Sequence, residues 1–497
     1  MATAVGAGPT NEERNPASLD EAAGPPDKLA AQIAHRIEAE VMRRGWPVGT
    51  SLGSELELRE EFGVSRSVLR EAVRLVEHHQ VARMRRGPHG GLFVSAPDAG
   101  PATRAIVIYL EYVGTSVADL LHARLLLEPI AAGLAADRIT EQGIATVRSV
   151  MRAELAHLEE PAVWSQHELH PVLGQLSGNA VLHLFIDVLT RLTSRYANTS
   201  RRLSKADVLD SKNTSHAEHD AIVEAVIAGD GARAQTLLTA HLQSVAEWTE
   251  QHRVRRTSRI SGRTIEPQLS EGSRAKLAEV VAARIHDDIQ ASGWQVGSVL
   301  GSEADLLSRY GISRAVLREA VRLLEYHSVA RMRRGPGGGL VVTVPEPQAS
   351  VDTMALFLEF QGVTADDLRV VRNAIELGVV ARVTALHTEG NSSVAERLTR
   401  AAQWPAAAAT DGRRADVFHH ELAELAGNPV LSLFLSIITE LFRRHATGQD
   451  RPLPGDGAAE QVQHVHERIL EAVLDGDAGL ASHRMRRHLD ALIPWWH

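Results

Sequence analysis

Residues 65–88 read SRSVLREAVRLVEHHQVARMRRGP, and residues 313–336 read SRAVLREAVRLLEYHSVARMRRGP. Four of the 24 aligned positions differ, and the copies begin 248 residues apart. In the first copy Leu69, Ala72, Val73 and Val76 recur at i, i+3, i+4 and i+7 and form the apolar face of a helix. Arg66, Arg70 and Arg74 fall on an adjoining face. Just upstream, Ser54 with Glu57 fits a capping box for a short helix, and Ser302 with Asp305 repeats it. Gly63 then breaks the chain, and Ser65 caps the arginine helix. Downstream, VARMRRGPHGGLFVSAP (81–97) places β-prone residues around a Pro/Gly turn, which predicts a hairpin. A short helix, a tight turn, a one-sided basic helix and a basic hairpin together describe a winged helix-turn-helix. A solvated, salt-bridged helix explains one such arginine helix, but not the same four features in the same order twice.

The repetition extends outward from this segment. GWPVGTSLGSELELREEFGVSR (45–66) returns as GWQVGSVLGSEADLLSRYGISR (293–314). HPVLGQLSGNAVLHLFIDVLTRL (170–192) returns more loosely as HHELAELAGNPVLSLFLSIITEL (419–441). HDAIVEAVIAGDGARAQTLLTAHL (219–242) matches HERILEAVLDGDAGLASHRMRRHL (466–489). Each unit spans about 230 residues, far longer than a solenoid repeat, so a two-domain unit is duplicated in tandem. The polar stretch TSRISGRTIEPQLSEG (257–272) reads as the join. The expected organisation is a disordered tail at 1–26, winged helices at 27–97 and 273–345, all-helical domains at 102–253 and 350–497, and a linker at 254–272. The fold class is therefore mainly α, with two winged helices alternating with two helical bundles.

Composition agrees. Hydrophobic residues make up 44% of the 497 and aromatics 4%, so the core rests on Leu, Val, Ile and Ala. The absence of Cys excludes disulfides, thiolate metal sites and a cysteine nucleophile. The first 26 residues lack the basic and apolar regions of a signal peptide, and no uncharged apolar run is long enough for a membrane helix. A cytoplasmic protein, on the nucleoid when DNA-bound, is expected. The net charge is −9, yet residues 64–95 hold six Arg against two Glu, as do residues 312–343. An acidic body with two basic patches suits a protein that touches nucleic acid with only part of its surface.

At these residues the chain resembles the GntR superfamily of bacterial winged-helix transcription regulators. The resemblance lies in the lead-in GTSLGSELEL (49–58), the recognition-helix motif GVSRSVLREA (63–72) and the wing, each present twice. It implies DNA contacts from Arg66, Arg70, Arg314 and Arg318, with Ser65 and Ser313 near phosphate. Arg85, Arg86, Arg333 and Arg334 lie at the wing bases, and His89 and Gly337 at the wing tips. Relatives often carry Arg directly after the Glu of the "SE" pair. Here that residue is Leu56 or Ala304, so a common base contact is missing.

The Leu/Ala-rich halves resemble the all-helical ligand-binding (FCD-type) domain of the FadR subfamily, through HARLLLEPIAAGLAA (122–136), VRNAIELGVVARVTA (371–385) and the two repeated motifs above. That resemblance implies a metal held by an Asp and three His. The matching histidines are His170, His219 and His241, then His419, His466 and His488. Three neutral imidazoles suit Zn²⁺ or Ni²⁺ with open positions for an acid ligand. The family's Asp is Gln166 in one copy and Ala415 in the other, with Asp416 one place along and able to reach the same face. The alternative is a metal-free pocket in which these histidines meet an anionic effector. Arg124 and Arg372 pair at i, i+4 with Glu128 and Glu376, and are also candidates to hold an effector carboxylate.

Other classes fit less well. HELH (167–170) is not a zincin motif, because residue 171 is Pro171. A second winged helix and bundle leave no room for a fused pyridoxal-phosphate aminotransferase. A metal-dependent hydrolase would leave the DNA modules idle, and an architectural DNA-binding protein would need no effector. The expected function is a sequence-specific regulator, most simply a repressor, acting as a covalent pseudo-dimer on a near-palindromic operator. The implied effector is a small organic acid, with acyl-CoA the runner-up.

Overall fold

A computed structural model gives the fold and describes residues 26–85, 87, 90–158, 169–197, 205–251, 274–335, 337–345, 347–391, 393–402, 416–447 and 458–492. It separates into two compact units, Met1–Pro97 and Asp98–His497.

The first unit contains α1 (Pro26–Arg43), β1 (Ser51–Gly53), α2 (Glu55–Phe62), α3 (Arg66–His78), β2 (Ala82–Arg85) and β3 (Gly91–Val94). The strands form an antiparallel sheet in the order β1-β3-β2, with Arg83 opposite Phe93 and Met84 opposite Leu92. The capping box predicted from Ser54 and Glu57 is present: the Ser54 N–H donates to Glu57 (2.7 Å) and the Glu57 N–H to the Ser54 hydroxyl (3.3 Å). Gly63 ends α2 at φ +62°, a left-handed position that lets its N–H reach the Arg59 carbonyl. Leu69, Ala72, Val73 and Val76 bury the inner face of α3 together with Ile33, Ile37, Leu58 and Leu92, so the apolar spacing read from sequence is the core face.

Glu38, only 1% exposed, sits on α1 beside His79 (2.5 Å) and His35 (3.2 Å). Burial pushes its carboxyl up, but the hydrogen bonds and charges of the two histidines outweigh this and hold the pKa at about 2. With a folded pKa below the unfolded one, the carboxylate stabilises this unit above about pH 4.5, and that contribution is lost as pH falls towards 2. Glu38→Gln is therefore expected to cost ~1–3 kcal/mol at neutral pH, with a difference from the native chain that shrinks through this acid window. Thermal unfolding, assigned to this unit by hydrogen exchange on α1, measures both; a pH-independent difference would refute the ion-pair account.

The second unit opens with a bundle of α4 (Ala99–Tyr112), α5 (Val117–Asp137), α6 (Glu141–Ala156), α7 (Leu169–Leu176), α8 (Ala180–Ala197), α9 (Lys205–Ile227) and α10 (Gly231–Gln251). A winged helix follows, with α11 (Arg274–Ala291), α12 (Glu303–Tyr310), α13 (Arg314–Tyr326), β4 (Ala330–Arg333) and β5 (Gly339–Val342). The last bundle contains α14 (Pro347–Phe360), α15 (Ala365–Thr388), α16 (Ser393–Ala402), α17 (Asp416–Leu425), α18 (Pro429–Thr447), α19 (Ala458–Leu474) and α20 (Ala478–Ala491). The fold is thus mainly helical, with small β-ribbons that, among the described residues, are confined to the winged helices.

The two bundles share one continuous core. Phe185 of α8 stacks on Phe434 of α18 at 3.7 Å between ring centres. The Asn179 side chain donates to the Asp367 carbonyl, and the Asn428 side chain to the Asp119 carbonyl, both at 3.0 Å. Matching residues thus exchange matching contacts, the signature of an isologous interface, here within a single chain. Gly378 on α15 is part of this contact, since an added Cβ would lie 2.6 Å from a terminal carbon of Leu126.

The second winged helix rests on a helix of the first repeat. Ile108 and Tyr112 of α4 join its core, Tyr112 meets Trp294 edge-on at 5.3 Å, and buried Glu111 lies 3.5 Å from His286. His286 occupies the position that Glu38 holds in the first winged helix, so an imidazole replaces the buried carboxyl there.

Candidate DNA-binding and metal-binding sites

The recognition helices present the basic faces that their spacing implies. Arg66 and Arg70 are more than half exposed and both donate to Glu55 Oε1, at 2.9 and 3.1 Å. The Arg66 hydrogen bond is the main cause holding the Glu55 carboxyl below its usual range. Glu55 therefore sets the two guanidiniums side by side, each with forked donors of the kind that suit a phosphate or a guanine edge. In the second head Arg314 lies 3.3 Å from Glu303, and Arg318 is exposed one turn along. Ser65 and Ser313 cap α3 and α13, accepting the Val68 and Val316 N–H groups at 3.3 and 3.4 Å. The Ser65 hydroxyl also lies 2.9 Å from the Ser67 hydroxyl, where the second head has Ala315.

At the wing, Arg85 lies 4.3 Å above the Phe93 ring, which fixes the guanidinium at the edge of the hairpin. Arg333 donates to the Gly337 carbonyl at 2.8 Å, across a turn that Gly337 makes at φ +70°, and Arg334 is exposed beside it. Arg86 and His89 lie outside the described residues.

Inside the bundles the six histidines converge as two triads, His170/His219/His241 and His419/His466/His488, all buried. In the first, α7, α9 and α10 each supply one ring, and the Nε2 atoms of His219 and His241 are 3.2 Å apart. In the second, Nε2 of His488 lies 3.2 Å from Nε2 of both His419 and His466. Donors ~2.0–2.1 Å from one tetrahedral ion stand about 3.3 Å apart, so three converging imidazole nitrogens fit such an ion. Burial pushes the pKa of His170 and of His488 down to about 3, and also lowers His241 and His466. Those four rings are thus held neutral.

Two family profiles match the chain, each twice. That described as "Bacterial regulatory proteins, gntR family" covers residues 29–94 and 277–340, and "FCD domain" covers 119–244 and 367–491. The chain belongs to the GntR family of bacterial regulators. Among its relatives, the "Putative L-lactate dehydrogenase operon regulatory protein" of Escherichia coli is 29% identical over 44% of this chain and 86% of its own length. "HTH-type transcriptional regulator LutR" of Bacillus subtilis is 27% identical over 40% and 91%. The "HTH-type transcriptional repressor NanR" of an Enterobacter species is 25% identical over 44% and 85%. These relatives have the length of one repeat; this GntR-family chain carries two. It is a sequence-specific DNA-binding transcription regulator with effector-binding FCD domains, and its role is regulatory rather than enzymatic.

In these GntR/FCD bundles, carboxylates stand behind several of the triad imidazoles. Glu128 accepts from His170 Nδ1 at 2.6 Å while bound to Arg124, and Glu376 does the same for His419 beside Arg372. Burial pushes Glu128 up, but Arg124 and His170 together hold its pKa at about 2. A carboxylate on Nδ1 fixes the tautomer, so that Nε2 offers its lone pair inward. Glu154 serves His219 (2.9 Å) and Glu218 serves His241 (2.7 Å). The i, i+4 Arg–Glu spacing was visible in sequence, but the histidine partner, 42 or 43 residues away, was not.

The triads differ in that outer layer. All three rings of the first meet a carboxylate at Nδ1; in the second, among the described residues, only His419 does, while His466 stacks on Phe418 at 4.3 Å. Gln166 and Ala415 lie outside the described residues. Asp416, expected to be able to reach the triad, instead lies 3.8 Å from Arg372 and is not among the converging donors.

Proposed function

We propose that one chain is a covalent pseudo-dimer of the FadR-type branch, a repressor whose two heads read the half-sites of one near-palindromic operator. The reciprocal Asn179–Asp367 and Asn428–Asp119 contacts carry this reading, because they reproduce within one chain the exchange that two subunits of a dimer would make. The recognition helices differ among their early positions only at Ser67 and Ala315, so nearly identical half-sites are expected. Tethering makes the second head's encounter intramolecular, and occupancy no longer depends on subunit assembly.

Each triad holds Zn²⁺ or Ni²⁺ through its three Nε2 atoms, supplying open positions that take an effector carboxylate. Glu128 and Glu376 orient the first ring of each site, and Arg124 and Arg372 fix those glutamates. An effector carboxylate reaching either arginine therefore also acts on the triad. A small organic acid is favoured over an acyl-CoA; the Escherichia coli relative named for a lactate dehydrogenase operon points the same way. Binding that differs between two arrangements of the bundles changes operator affinity by the same free energy. Such a regulator works in the cytoplasm, on the nucleoid.

With an operator selected from random duplexes, native mass spectrometry is expected to show one chain per palindrome. A complex needing two chains for one palindrome would overturn the pseudo-dimer.

A further inference from the structure

The second bundle carries a cleft that the first bundle's sequence does not provide for. It lies between α19 and α20, has a volume of about 440 Å³, and its lining includes Val465, Arg468, His483, Arg484, Arg487 and His488. At the corresponding positions the first repeat has Glu218, Ala221, Thr236, Leu237, Ala240 and His241. Four basic residues have therefore replaced Ala, Thr, Leu and Ala on one face, while the histidine of the triad stays.

The fifth difference gives those charges a direction. In the first bundle Glu218 accepts from Nδ1 of His241 at 2.7 Å. In the second, Val465 stands in place of that glutamate and has no acceptor to offer His488. Nε2 of His488 faces the triad, so its other edge lies towards the cleft. Glu471 is bonded to Arg468 at 2.6 Å and lies 3.6 Å from Arg484. Three guanidiniums line the cleft, and no carboxylate is among its lining residues. Arg484 also donates to the Arg468 carbonyl, which ties α20 to α19 and holds its guanidinium at the cleft.

We propose that this cleft is an anion site of the second repeat alone, taking a small oxyanion with two or more negative charges, whose oxygen accepts from His488 Nδ1 in the place that Glu218 fills in the first. The guanidiniums bind carboxylate and phosphate by the same forked geometry. Occupying the site supplies the second triad with the outer carboxylate-type partner that its own sequence omits, so the anion and any ligand at the triad act on each other. The two repeats are then unequal sensors. The inference rests on the cleft and on the comparison of the copies, not on the identity of a metal.

Titration calorimetry of the full chain tests it, with succinate as a dicarboxylate and glycerol 3-phosphate as a phosphomonoester, both weak chelators, and acetate as the single-charge control. One equivalent of succinate or glycerol 3-phosphate per chain is expected, at least tenfold tighter than acetate; whichever binds tighter names the oxyanion. The Arg484→Ala, Arg487→Ala double variant is expected to weaken binding at least tenfold. Val465→Glu, which installs the first repeat's carboxylate and leaves the arginines in place, is expected to do the same. Two equivalents per chain, binding unchanged in both variants, or no binding of either probe at 10 mM would overturn the proposal. A chain found to hold no metal that still takes one anion would sink the metal reading above and leave this one standing.

Discussion

Alanine at both His219 and His466 is expected to take the metal content of the purified chain from two equivalents to none, and either substitution alone from two to one. Each triad supplies three donors; a site left with two imidazoles loses a bond that no carboxylate among the converging groups replaces. Disturbing an outer partner of a metal-bound histidine typically costs ~10–100-fold in affinity, so removing the histidine itself should exceed ~100-fold. The two sites should also differ before any substitution. Carboxylates orient all three rings of the first triad, but among the described residues only His419 in the second. The first site is therefore expected to retain its ion longer against a competing chelator. Elemental analysis of protein prepared without chelator or nickel resin reads the stoichiometry, and a chromophoric chelator reads the order of release. Two equivalents persisting in the double variant would place the metal elsewhere; none in the native chain would leave a pocket where His and Arg meet the effector directly.

The second large effect is at the DNA. Replacing Arg66 and Arg314 by alanine removes the first guanidinium of each recognition helix, both more than half exposed and paired with Glu55 and Glu303. A base-reading arginine contributes ~1–3 kcal/mol of discrimination per half-site, so the double variant should lose about 2–6 kcal/mol and most of its preference for operator over scrambled duplex. Each single variant should lose about half. Arg85 and Arg333 sit at wing bases, where phosphate contact is expected. Their replacement should weaken all sequences alike and make binding less salt-dependent. Fluorescence anisotropy at several salt concentrations separates the two patterns. A loss from Arg66→Ala, Arg314→Ala that is equal on both duplexes would assign those arginines to phosphate.

Much of this was legible in the sequence because it depends on neighbours along the chain. The capping box at Ser54, the left-handed Gly63, the apolar face of α3 and the basic face beside it all follow from spacings of three and four residues, and the structure places each as read. The six histidines were legible for another reason: two copies carry them at matching positions while much of the surrounding sequence differs. Their surroundings were not legible. Glu128, Glu154 and Glu218 look like ordinary helical acids until helices far apart in sequence bring them against imidazole nitrogens. Asp416 shows the converse: it lies three residues from His419, yet its carboxylate is 3.8 Å from Arg372 and is not among the converging donors.

By itself, then, the sequence determined the duplication, the winged helices, the bundles and the basic faces of the recognition helices, since helix periodicity, caps and glycine turns are local and a repeat is visible without coordinates. Only the tertiary structure decided that the two bundles share one core through exchanged asparagine contacts. It also decided that the second winged helix rests on a helix of the first repeat, and that the two histidine triads have unequal outer partners. Those facts depend on which buried faces meet. Apolar faces of similar composition can pair in many ways, and the choice among them is made by close packing and by the few polar groups that must find a partner once water is excluded.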